Sequence, residues 1–191
     1  KNHGNATINS SALSTLNLSG TAGALNLTTG LTTPTNTTLT MNLNKLSGAA
    51  NTITDSTAAA GAGYKTLNVN SSTADSTLVA LNFADVETLN VSGDAKLTIT
   101  GANTLTAVKD IVVTNTAGVT IKSDLETDVT FTGGAGADSV ILKSGFTKAI
   151  KMGAGNDTVK LTSLAIGTGG SVDGGAGTED RLIVSFDTAI A

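Results

Sequence analysis

Lys65-Thr66-Leu67-Asn68-Val69-Asn70-Ser71 returns 22 residues later as Glu87-Thr88-Leu89-Asn90-Val91-Ser92-Gly93. Both segments alternate apolar and polar residues, the pattern of a β-strand with one buried face. Ser14-Thr15-Leu16-Asn17-Leu18-Ser19-Gly20 is an earlier version, and Asp110-Ile111-Val112-Val113-Thr114-Asn115 and Asp128-Val129-Thr130-Phe131-Thr132-Gly133 are looser echoes. Leu67 to Leu89 and Leu89 to Ile111 are each 22 residues, and Ile111 to Val129 is 18. A period in the low twenties with two or three short strands per period predicts a solenoid, because one coil cannot bury its own apolar face and stacked coils can. The segments at Lys96-Leu97-Thr98-Ile99-Thr100 and Val119-Thr120-Ile121-Lys122 supply further strands, with Gly93, Gly101 and Gly118 at the corners between them. The expected fold is all-β: a parallel β-helix or β-roll, that is, a right-handed β-solenoid.

Composition fits thin stacked layers better than a globule around large side chains. Of 191 residues, 39% are apolar but only 3% aromatic, with one Tyr and no Trp. Thr and Val suit pleated, half-buried surfaces. A net charge of −4 offers no basic face for phosphates, which argues against nucleic acid as a partner. Charged residues at 14% are too few, beside so much apolar content, for a disordered chain. No apolar run approaches the ~18 residues of a membrane span. With no Cys, neither disulfides nor thiolate metal sites are possible. The charged start at Lys1 is not followed by the apolar stretch of a signal peptide, and the abrupt ends read as those of a piece of something longer.

Three stretches divide the chain. Residues 1–63 form an irregular Thr- and Asn-rich β segment, with strands near 12–18, 24–28 and 37–43 and a loop at 51–63; they read as early coils of the solenoid or as a small β domain. Residues 64–132 are regular solenoid coils, in which Thr73 to Val86 has a weak helical character over a turn or two. Residues 133–191 hold the glycine-rich turns.

Those turns carry the chemistry. Gly133-Gly134-Ala135-Gly136-Ala137-Asp138-Ser139-Val140-Ile141 matches G-G-x-G-x-D-x-U-x at every position. The glycines turn the backbone tightly, the Asp supplies a carboxylate and the apolar residue opens a short strand. Carbonyl and carboxylate oxygens are hard donors, of the kind Ca²⁺ collects in sets of about 6–8. One turn cannot complete such a shell, but stacked turns can. Met152-Gly153-Ala154-Gly155-Asn156-Asp157-Thr158-Val159-Lys160 repeats the motif with Met in place of the first Gly, and Gly174-Gly175-Ala176-Gly177-Thr178-Glu179-Asp180-Arg181-Leu182-Ile183 repeats it with one extra residue. The second glycines are 19 and 22 residues apart, close to one coil, so the turns are expected above one another on one edge.

The stretch 133–183 resembles the RTX (repeats-in-toxin) proteins, and the Thr-Leu-Asn-Val strands upstream resemble the Thr- and Asn-rich solenoids of RTX-type bacterial S-layer proteins. The resemblance implies Ca²⁺ as the cofactor, with ligands Gly133, Ala135 and Asp138 facing Gly153, Gly155 and Asp157, and a second set of Met152, Ala154 and Asp157 facing Gly175, Gly177 and Asp180. Asp180 is preferred to Glu179 because it keeps the D-x-L spacing to Leu182. It further implies type I secretion, folding on meeting extracellular calcium, a place at the cell surface, and self-association into a lattice. Residues 142–150 and 161–170 are poor nonapeptides, so no equivalent ions are expected on the opposite edge.

Other readings are weaker. His3 is the only histidine and reads as a solvated tail residue, which leaves no zinc site or Ser-His-Asp triad. Asp75, Asp85, Asp94, Asp110, Asp124 and Asp128 read as solvated turn residues or as an extension of the calcium ladder. Without a recognisable pair of catalytic carboxylates, the chain is not expected to be an enzyme. The exposed Thr and Asn positions read as solvated strand faces, or as a surface for cell-surface polysaccharide without aromatic platforms. The chain is thus expected to be a calcium-stabilised structural segment of a secreted S-layer protein. The alternatives are a stalk or ligand-binding segment of an RTX adhesin, or the calcium-binding tail of a secreted RTX enzyme.

Overall fold

The computed structural model describes residues 4–21, 23–28, 36–56, 61–162 and 168–185. They form a right-handed parallel β-solenoid of about seven turns, with no helix among the described residues. One sheet stacks eight strands in the order β2 (Thr15–Thr21), β4 (Thr38–Ser47), β6 (Thr66–Ser71), β9 (Thr88–Ser92), β11 (Asp110–Val113), β13 (Thr130–Thr132), β15 (Ala149–Lys151) and β17 (Ser171–Asp173). A second sheet stacks β7 (Ser76–Leu78), β10 (Leu97–Ile99), β12 (Val119–Leu125), β14 (Ser139–Leu142), β16 (Thr158–Leu161) and β18 (Arg181–Val184). A third, shorter sheet joins β1 (Ala6–Asn9), β3 (Leu25–Thr28), β5 (Thr52–Asp55) and β8 (Ala80–Asn82).

The core is a set of columns rather than a ball. Leu39, Leu67, Leu89, Ile111, Phe131 and Ile150 stand in register through six strands of the eight-stranded sheet, each no more than 2% exposed. Met41, Val69, Val91 and Val113 form a parallel column one pleat away. The polar positions between them face outward and form ladders of their own: Asn42 donates to Asn17 Oδ1 at 2.8 Å, and Asn90 to Asn68 Oδ1 at 2.8 Å. Period-two alternation in the sequence is converted directly into an apolar inside and an amide-and-hydroxyl outside.

Three local expectations change. Ile111 pairs with Phe131, 20 residues on, and not with Val129. Asp128-Val129 resembles Asp110-Ile111 in sequence, but Asp110 pairs with Thr130 and Val129 is buried just before its strand. Thr73 to Val86 contains β7 and β8 and no helix, because Ser76, Leu78, Ala80 and Leu81 are buried between neighbouring coils. The stretch expected as a loop at 51–63 begins with the buried Asn51 and contains β5, whose partners are β3 and β8. His3 lies outside the described residues.

Candidate metal centre

The connections from the eight-stranded sheet to the six-stranded one lie on a single edge of the solenoid. They lengthen along it: residues 72–75 and 93–96, then 114–118, then the glycine-rich 133–138, 152–157 and 174–180. The three glycine-rich turns stack backbone on backbone. Ala154 N–H donates to Gly134 O and Ala176 N–H to Gly153 O, both at 2.7 Å, and Gly155 N–H donates to Ala176 O at 3.1 Å. A Cβ at Gly133 would sit 1.8 Å from Met152 O, and one at Gly175 1.9 Å from Gly153 O, so these positions admit only glycine.

An aspartate column runs through the stack. Strand register places Ser139, Thr158 and Arg181 side by side, and hence Asp138, Asp157 and Asp180 just before them. Each carboxylate reaches back one coil. Asp138 Oδ1 accepts the Val119 N–H at 2.7 Å, Asp157 Oδ1 the Asp138 N–H at 2.7 Å, and Asp180 Oδ1 the Asp157 N–H at 3.0 Å. Asp180 rather than Glu179 therefore occupies the column, because the extra residue of the last turn is taken up before it.

The second oxygens differ. Asp138 Oδ2 accepts the Gly134 N–H at 3.1 Å. Asp157 is 1% exposed, and its Oδ2 is the one buried side-chain polar atom among the described residues without a hydrogen-bond partner. Asp157 and Asp180 line a recess of about 250 Å³ together with Met152 and Gly174. Burial pushes the Asp138 carboxyl up to about 6, against the opposing pull of the Val119 and Gly134 N–H bonds and with help from the Asp157 charge. The Asp157 carboxyl is also raised, by burial first and by the charge of Asp180, while its bond from Asp138 N–H lowers it.

Such a carboxylate needs a proton or a cation. Among the described residues no three acids or imidazoles converge on one point, so a cation on this edge would take its remaining donors from backbone carbonyls. That is the donor set of a hard ion such as Ca²⁺. Gly133, Ala135, Asp138, Met152, Gly153, Ala154, Gly155, Asp157, Gly175, Gly177 and Asp180 all lie in the three stacked turns. Of their carbonyls, those of Asp138, Gly153 and Asp157 already accept hydrogen bonds, from the N–H groups of Thr158, Ala176 and Arg181.

The upstream acids are dispersed. Asp75 and Asp94 lie on the same edge but accept N–H bonds from Lys96 and Thr73. Asp85 accepts from Gly61 and Gly63 on another corner, Asp110 takes the Thr130 hydroxyl, Asp128 pairs with Lys109, and Asp124 sits where the register between β12 and β14 is irregular.

One buried polar side chain on this edge escaped the sequence reading. Asn115, fully buried, occupies the turn below Gly133. Its Nδ2 donates to Ser92 O at 3.2 Å and Ala95 O at 2.8 Å, and its Oδ1 accepts the N–H groups of Ala117 and Gly118, both at 2.8 Å. Its signal was an Asn three residues ahead of Gly118, within a strand echo that matches no glycine-rich motif. Compared with protein families and with curated proteins, the chain finds no match.

Proposed function

We propose that this chain is a calcium-clamped structural segment of a secreted bacterial surface protein of the S-layer type. The observation that carries the calcium part is the buried Asp157 Oδ2, left without a partner between two stacked glycine-rich turns. In this reading Asp138, Asp157 and Asp180 hold the ions with carbonyls of the turns at 133–136, 152–155 and 174–177. The calcium supplies positive charge that the acid column lacks. It binds the folded coils and not the unfolded chain, so it shifts the folding equilibrium: at ten times the dissociation constant each site adds about 1.4 kcal/mol. Extracellular calcium modules bind at roughly 10⁻⁴–10⁻³ M, so the chain would stay incompletely folded inside a cell and fold outside it.

The surface-array part rests on architecture. A rod of stacked coils with a Thr and Asn exterior suits a scaffold or stalk, and the resemblance to RTX-type S-layer proteins favours scaffold. The deciding experiment is circular dichroism and thermal melting in EGTA and in millimolar calcium, with bound metal counted by mass spectrometry. A calcium-dependent rise in melting temperature, reduced by Asp157→Ala, supports the reading; identical melts and no bound metal reject it. Calcium-dependent sheets of the full-length protein in electron micrographs support the lattice, and a persistent monomer in calcium rejects it.

A further inference from the structure

Along the turn edge, the side chain at the heart of each turn has less and less of its hydrogen-bonding capacity met. An amide has two N–H donors and a carbonyl acceptor with two lone pairs. Asn115 uses both donors and accepts twice, all within its own coil and the one before. Asp138 has one bond on each oxygen. Asp157 has one bond on Oδ1 and none on a buried Oδ2. The turns before Asn115 are likewise closed by the chain itself, through the Asp75 and Asp94 bonds and through Ser71 Oγ to Lys96 O.

We propose that Asn115 marks the start of the calcium requirement: its neutral amide closes a turn as an ion would clamp later ones, so the coils through β12 fold without calcium and template the glycine-rich coils, which order only when calcium is present. The inference rests on the calcium reading given above and adds where along the chain that dependence begins.

The contact between the two regions fits a template. The first glycine-rich turn lies directly on the Asn115 turn: a Cβ at Gly134 would be 2.8 Å from Asn115 O, and one at Gly136 would be 2.1 Å from Gly118 N. Asp138 accepts the N–H of Val119, the first residue of β12, so the coil below offers the first glycine-rich turn a backbone donor to dock on. A carboxylate in place of the Asn115 amide would set oxygens against the Ser92 and Ala95 carbonyls, which only a cation could reconcile.

Hydrogen exchange of the whole chain, followed by mass spectrometry in EGTA and in millimolar calcium, tests this. We expect amides of β6, β9 and β11 to exchange at rates within about threefold of each other in the two conditions, and amides of β14 and β16 to slow by tenfold or more when calcium is added. Slowing by the same factor in all strands overturns the template role while leaving calcium binding intact. No slowing anywhere, with no calcium bound, overturns the calcium reading and this proposal with it. Asn115→Asp is the second arm: β9 and β11 should lose protection in EGTA and regain it in calcium, and unchanged protection in EGTA counts against Asn115 as the boundary.

Discussion

Asp157 accepts the backbone N–H of Asp138 through Oδ1 at 2.7 Å, while its Oδ2 is buried and unbonded. One carboxylate therefore both ties two coils together and leaves an acceptor stranded. Leaving a buried acceptor unmet costs about 1–3 kcal/mol, more when it is charged. On the calcium reading proposed above, the same group would stabilise the stack when a cation is present and strain it when one is absent.

Asp157→Asn separates the two effects. The amide can keep the Oδ1 bond to Asp138 N–H and removes the unpaired charge. In EGTA the variant should melt at the same temperature as the parent or a few degrees higher. In calcium it should show most of the parent's calcium-induced rise removed. Differential scanning calorimetry reads both, and a variant that keeps the full calcium response would place the ion elsewhere.

Acidity should act with opposite sign in the two media. The Asp138 carboxyl is raised to about 6 by burial, against about 3.9 in an unfolded chain. Between these values the folded chain holds the proton that the unfolded chain has released, so this group's contribution to stability is full below about pH 4 and is lost as pH rises to about 6. In EGTA, stability should thus fall across this window, by on the order of 3 kcal/mol from this carboxyl, and Asp138→Asn should flatten the slope. The Asp128 carboxyl, lowered by its bond from Lys109 and exposed, titrates below the window and acts the other way. With calcium present, protons compete with the ion, so the calcium concentration at half-folding should rise as pH drops below about 6. Denaturant or thermal melts at pH 4.5, 5.5 and 7 in both media check the signs.

How much of this was legible in the sequence follows from what each feature depends on. The Leu67, Leu89 and Ile111 column was readable because coil length stays at 22 while turns stay short. The next step failed by two residues, since Asp128-Val129 copies a strand start that the chain uses as a corner. The third sheet was not recognised as such, because β5 and β8 are short and lie in segments rich in Ala and Thr. The aspartate column was legible from G-x-D at Asp138 and Asp157 and from G-x-x-D, with its one extra residue, at Asp180. Asn115 was not, because its role depends on the carbonyls of Ser92 and Ala95 in another coil, and no spacing within its own turn announces them.

The columnar core predicts a local but severe response to truncation. Leu89 is fully buried between Leu67 and Ile111. Leu89→Ala should cost about 2–5 kcal/mol, because the neighbouring coils are fixed by their own ladders and cannot collapse into the space. Asn90→Ala, on the outer face of the same strand, loses one side-chain bond to Asn68 and should cost only about 0.5–1.5 kcal/mol. Urea unfolding of the two variants in calcium makes the comparison, and equal losses would mean that the amide ladder matters as much as the core.

Glycine's role at the proposed calcium edge can be told from its role in an ordinary corner. Gly145 has φ +78°, and nothing lies within 4 Å of the place a methyl group would take, so Gly145→Ala meets backbone strain alone, about 1–2 kcal/mol. At Gly133 the obstacle is steric: a methyl would lie 1.8 Å from Met152 O and 2.8 Å from Asp138 Oδ2. Gly133→Ala must therefore push the first two glycine-rich turns apart and displace the Asp138 carboxylate with them. We expect Gly145→Ala to lower the melting temperature by a similar amount in EGTA and in calcium, while Gly133→Ala also weakens the calcium response. If both alanines shifted the two melting temperatures in parallel, the close stacking at Gly133 would be a packing feature with no bearing on the metal.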